Sequence, residues 1–175
     1  MSKAEVKHPR HKEKDLSTTF AQAKAQLEES VSSRTNELLG GAKWLKHQPN
    51  NRSEIHAALL HGVPNAMLAH FTDNLALVST EAVADVVGIS TRTLRRTKEE
   101  PKKPLAPDAA SKTWLLAETL AKAIEVFGSQ EAAERWMSEA AMALDGARPI
   151  DLLRTVQGAE LVTELLGRLE HGVYV

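Results

Sequence analysis

Apolar residues along this chain recur at intervals of three and four, the period of helices that each bury one face. Phe20, Leu27, Val31 and Leu38 give a loose first helix over Phe20–Leu39, which Gly40 and Gly41 interrupt. Trp44 and Leu45 form a small apolar patch ahead of a turn at Pro49–Asn51. From Ser53 the signals sharpen. Ser53 is placed to cap a helix carrying Ile55, Leu59 and Leu60, and Gly62 to end it. Pro64 suits the first turn of the next helix, with Met67, Leu68, Phe71 and Leu75 as its inner face. Further on, Leu116, Leu120, Ala123, Ile124 and Phe127 predict a helix that Gly128 terminates. Ser129 caps another with Ala132, Ala133, Trp136 and Met137. A connection over Met142–Arg148 turns at Asp145–Gly146, and Pro149 opens a brief helix through Ile150, Leu152 and Leu153. The last helix runs from Gly158 to about Glu170, with Leu161, Val162, Leu165 and Leu169 inward. Gly172 stops it, leaving Val173, Tyr174 and Val175 beyond. No strand pattern competes, so the expected fold class is all-α.

The segment Thr80–Glu99 carries the most information. It starts at Ser79 or Thr80, with Val83, Val86 and Val87 inward, and reads as two short helices joined by a tight turn. Ala84 leaves room for the crossing, Gly88 supplies the turn conformation closed to most residues, and Leu94 plugs the core. Ser90 stands where an N-cap is needed. Outside that stripe stand Thr91, Arg92, Thr93, Arg95, Arg96 and Lys98. Arginine has the reach and the fork geometry for guanine edges or phosphates, and a helix in the major groove meets a distinguishable donor and acceptor pattern. These residues are therefore the expected DNA-binding set, with Lys102 and Lys103 as further backbone contacts. Which arginine reads a base and which holds phosphate is left open by the sequence. So short a helix reads few bases alone, which favours a two-fold dimer on paired half-sites.

Charge changes this picture by its placement. The net formal charge is −1, yet Thr91–Pro104 carries six Arg or Lys against two Glu, a local +4. Ser111–Val175 carries six basic against ten acidic residues, a local −4. A nearly neutral chain binds a polyanion when its positive charge is gathered on one surface. Aromatics are only 4% of the chain, so Leu, Val and Ala must build the core. The absence of cysteine excludes disulfides, thiol nucleophiles and thiolate metal sites. No apolar run approaches the roughly 20 residues of a membrane span, and the N-terminus lacks a signal-peptide stretch, so a cytoplasmic location without membrane contact is expected.

Four segments follow: a flexible polar tail over 1–19, a helical extension over 20–52, a helix–turn–helix domain over 53–104, and a second helical domain over 105–175. The boundary is placed at Glu99–Pro107, whose three prolines remove backbone donors.

The order of elements FGSQEAAERWM…ALDGARPIDLLRTVQGAELVTELLGRLEHGVYV resembles the toxin-binding domain of Xre/MbcA/ParS-type antitoxins. The matching points are Phe127–Gly128, Trp136, Gly146, Pro149, Leu152–Leu153, Gly158 and Gly172. The preceding VADVVGISTRTLRR and LAPDAA segments look like the Xre-like half of the same family; the resemblance covers about Ser53–Val175 and fits poorly before it. It implies an antitoxin that neutralises a RES-domain, NAD-consuming toxin, represses its own operon, and forms a homodimer within a larger toxin–antitoxin complex. It also implies that the C-terminal region obstructs the toxin's active-site entrance, which assigns Gly172, Val173, Tyr174 and Val175 to toxin binding. An alternative is a stand-alone regulator whose C-terminal half only dimerises.

Enzymatic chemistry finds little support. The seven histidines form no HExxH-like ligand pattern, and His56 and His61 are five apart, off a shared helical face. Gly40–Gly41 lacks a following Lys-Ser or Lys-Thr, so there is no phosphate cradle. No catalytic residue, metal or cofactor is expected. Trp136 stays open between core and interface.

Overall fold

Helix ends fall where capping chemistry puts them in the computed structural model, which describes residues 11–44, 49, 51–170 and 172. The helices are α1 (His11–Leu38), α2 (Arg52–His61), α3 (Asn65–Asp73), α4 (Thr80–Val87), α5 (Thr91–Glu99), α6 (Pro107–Phe127), α7 (Gln130–Ser138), α8 (Pro149–Leu152) and α9 (Val156–Glu170). Single 3-10 turns lie at Gly41–Lys43 and Met142–Leu144. Among the described residues there is no strand, only an isolated bridge between Pro64 and Pro104. The fold is all-α, as the periodicity predicts.

The chain divides into two units, Met1–Ser30 and Val31–Val175. The first holds the early turns of α1, a polar helix with Lys24 Nζ 4.0 Å from Glu28 Oε1. Helix therefore begins at His11, inside the stretch expected to be a tail, because 11–30 contains no proline or glycine to stop it. In the second unit α6 is central. Its Ala109, Ala110, Leu116, Ala117, Leu120, Ala121, Ala123 and Ile124 are all buried, and it packs against α2, α3, α4, α7 and α9. A helix surrounded in this way must be apolar on several sides, and its alanines let the neighbours come close.

Five local details differ from the sequence reading. Asn51, not Ser53, caps α2: its Oδ1 accepts from Glu54 N at 2.9 Å while its Nδ2 donates to Glu54 Oε1. Pro64 is the N-cap of α3 and lies just outside the helix. The α9 helix starts at Val156, since the Thr155 hydroxyl accepts from Gly158 N at 3.1 Å. Along α9 the inner face is Ala159, Val162, Leu165 and Leu166; Leu161 is exposed and Leu169 half-buried. Finally, 99–107 is no break between compact units, since 31–175 holds together as one. Lys103 O accepts from Asn65 N at 2.8 Å, Pro101 O from Ala66 N at 3.0 Å, and Val63 O from Leu105 N at 2.8 Å.

Candidate functional site

Two short helices and their turn build the site. Ser79 caps α4 by accepting from Ala82 N, and Gly88 closes it at φ 79, with its N–H on Ala84 O. Two residues later Ser90 Oγ accepts from Thr93 N at 3.1 Å and starts α5. Leu94 and Thr97 are buried, and Thr97 Oγ1 donates to Leu94 O. With those two facing inward, Arg92, Arg95 and Arg96 share the outer face at three- and four-residue spacing. All three are exposed, as are Thr93 and Lys98, while Thr91 is half-buried.

The side chains of α5 are not equally available. Arg96 Nε lies 3.3 Å from Glu100 Oε1, and Lys103 Nζ reaches Glu100 Oε2 at 2.9 Å. Lys98 pairs with Asp73 at the end of α3. Thr93 Oγ1 is 2.9 Å from Ser90 Oγ and belongs to the cap. Arg92 and Arg95 have no ion-pair partner among the described residues. The hydrogen bond from Lys103, joined by the field of Arg96, holds the Glu100 carboxyl below its ordinary range, so it is ionised at neutral pH. Lys112, on α6, was not singled out from sequence. A Cβ added at Gly88 would stand 3.0 Å from its Nζ, so a further cation borders the turn.

The acidic C-terminal half contributes a buried polar anchor. Glu134 is fully buried on α7, where Gln130, Ala133 and Met137 share its face. Its Oε2 accepts from Ala76 N (2.8 Å), Leu77 N (2.7 Å) and Val78 N (3.2 Å). Oε1 takes Gln130 Nε2 at 2.7 Å, and the same amide donates to Asn74 O at 2.8 Å. Sequence reasoning missed it, although an acidic residue inside the Ala133–Met137 stripe was the available signal. Trp136 is half-buried, tilted 36° against Phe127 at a centroid distance of 5.2 Å. Gly172 is exposed at φ 67, whereas Val173, Tyr174 and Val175 lie outside the described residues. Among the described residues no group of three or more His, Asp or Glu is placed to hold a metal, and no helix is long and apolar enough to cross a membrane.

The chain falls in the class of all-α proteins with a capped helix–turn–helix followed by a C-terminal helical region. Comparison with known proteins narrows that class. Residues 122–172 match the family model described as the antitoxin Xre/MbcA/ParS C-terminal toxin-binding domain. The Antitoxin Xre of Pseudomonas putida is 31% identical over 119 residues, covering 68% of this chain and 72% of that protein. The Antitoxin Xre of Yersinia enterocolitica is 30% identical over 100 residues, 57% of this chain and 67% of its own length. A chain of the M. tuberculosis MbcT–MbcA toxin–antitoxin complex superposes with a TM-score of 0.46 at 23% identity, over 63% of this chain and 96% of that one. This chain belongs to the Xre/MbcA/ParS antitoxin family. Its role is that of an antitoxin and regulator.

Proposed function

We propose that this antitoxin inhibits a cognate RES-domain, NAD-consuming toxin and represses its own operon as a homodimer within a larger toxin–antitoxin complex. The observation that carries the DNA half of this reading is the pair Arg92 and Arg95, exposed on α5 and free of any ion pair among the described residues. The dipole of α5 adds to the attraction for phosphate near its N-terminus. Arg96, Lys98, Lys102, Lys103 and Lys112 supply positive charge around that pair, with Thr91 and Thr93 at the helix start. Two copies would place their α5 helices about one DNA turn apart, roughly 34–36 Å.

The test is a binding titration against the DNA upstream of its own gene. Arg92→Ala combined with Arg95→Ala weakens binding about a hundredfold or more and flattens the salt dependence. A wild-type chain that ignores this DNA at low ionic strength overturns the reading. Glu100 provides a test of opposite sign. As a lowered-pKa carboxylate it stays charged until the pH falls through its depressed value, and it holds Arg96 and Lys103 away from phosphate. Glu100→Gln therefore tightens DNA binding about threefold to tenfold at low salt, with the gain fading as salt rises.

For the toxin half, support comes from family membership and from the toxin-binding model over 122–172. The terminal residues Gly172, Val173, Tyr174 and Val175 are assigned to the toxin's active-site entrance, with Gly172 allowing the turn into it. Deleting 172–175 and measuring NAD consumption by the toxin encoded beside this gene checks the assignment. Restored NAD loss is expected, and inhibition equal to that of the full chain refutes it.

A further inference from the structure

Among the described residues Glu134 is the one charged side chain that is fully buried, and the binding functions above leave it unused. It sits on α7, inside the region matched by the toxin-binding model, yet its hydrogen bonds go to the loop that enters α4. Three successive amides, Ala76 to Val78, converge on one carboxylate oxygen, and Ser79 caps α4 at the very next position. Gln130 fixes the other oxygen and ties Asn74 O to the same helix. No cation pairs with this charge among the described residues; the amide dipoles balance it. An apolar side chain would fill the space under the loop but would offer these amides no acceptor. What the carboxylate supplies instead is direction, because each amide must point at one oxygen.

We propose that Glu134 is a positioning residue for DNA recognition, setting the placement of the α4–α5 pair from within the toxin-binding module. The inference rests on the DNA-binding reading above. It makes the orientation of Arg92 and Arg95 depend on α7, a helix that touches no DNA in that reading. Phosphate attraction tolerates a small displacement of α5, whereas contacts to base edges do not. Loss of the anchor therefore lowers specificity ahead of general affinity.

The experiment compares the wild type with Glu134→Gln and Glu134→Asp on two duplexes, the chain's own upstream DNA and a scrambled duplex of equal length. Each protein is used at a temperature where circular dichroism shows it fully folded. Glu134→Gln keeps the shape and removes the charge, and Glu134→Asp keeps the charge and shortens its reach. For both, the preference for upstream over scrambled DNA falls about tenfold, while affinity for the scrambled duplex stays within about twofold. A purely structural role lowers the melting temperature and leaves that preference unchanged in the folded fraction, which overturns the proposal. Should neither variant fold, amide exchange on the wild type decides. Upstream DNA must slow exchange at Ala76–Val78 more than scrambled DNA does, and equal rates overturn the proposal. A wild type that binds neither duplex removes the DNA-binding reading and this inference together; variants that discriminate as well as the wild type remove this inference alone.

Discussion

Gly158→Ala destabilises the second unit by about 3–4 kcal/mol, read as a shift in denaturant midpoint with an unchanged slope. The cause is a collision with main chain. A Cβ at this position would stand 2.0 Å from Leu152 O and 2.7 Å from Leu152 C, where α8 ends and α9 begins. A side-chain obstacle can swing away, but a carbonyl held in the turn by Thr155 N cannot. Relief requires α9 to retreat from α8 and to loosen Ala159, Val162, Leu165 and Leu166 together. Gly167, two and a half turns along the same helix, is the matched control. Nothing lies within 4 Å of its added Cβ, so Gly167→Ala stabilises by about 0.5–1 kcal/mol through helix propensity and unfolded-chain entropy. Equal effects at the two glycines would show that the close approach of α8 and α9 is not what holds Gly158.

Truncating Glu134 to alanine costs about 3–5 kcal/mol by the same measurement. The substitution leaves the amides of Ala76, Leu77 and Val78 without this acceptor, takes from Gln130 Nε2 one of its two acceptors, and opens a cavity beneath the loop. Val78 is buried, and an unsatisfied buried donor costs about 1–3 kcal/mol; Ala76 and Leu77 are exposed, so water recovers part of their loss. Glu134→Gln is milder, since one oxygen still faces the loop while its amide now opposes the Gln130 amide. A loss under about 1 kcal/mol for the alanine variant would mean that the loop finds other acceptors.

The legible parts of this fold were those governed by neighbours in sequence. Ser79, Ser90 and Ser129 cap the helices that follow them, and Gly62, Gly88 and Gly128 end the helices before them, because capping involves residues within one turn. The outer face of α5 was legible for the same reason, since Leu94 fixes which side is inward. What escaped were choices made by tertiary contact. Asp73, twenty-five residues from Lys98, decides that this lysine is engaged, whereas the Arg96–Glu100 pair is a local contact four residues apart that the sequence reading passed over. Glu134 reaches across more than fifty residues to Ala76–Val78. Leu161 fits the apolar rhythm of α9 yet faces outward, because periodicity alone does not tell a core stripe from an exposed apolar position.

The proline segment has a practical consequence. Pro101, Pro104 and Pro107 interrupt hydrogen bonding only where a donor is required, and here the bonds run through Lys103, Pro101 and Leu105 to Val63 and the first residues of α3, Asn65 and Ala66. The stiffness that proline confers thus clamps this segment instead of loosening it. Genes shuffled by recombination at this point would yield fragments with frayed ends, so the α4–α5 pair cannot be traded between relatives as a cassette cut between 104 and 105. Exchange that preserves folding has to carry Asn65, Ala66 and their acceptors across together.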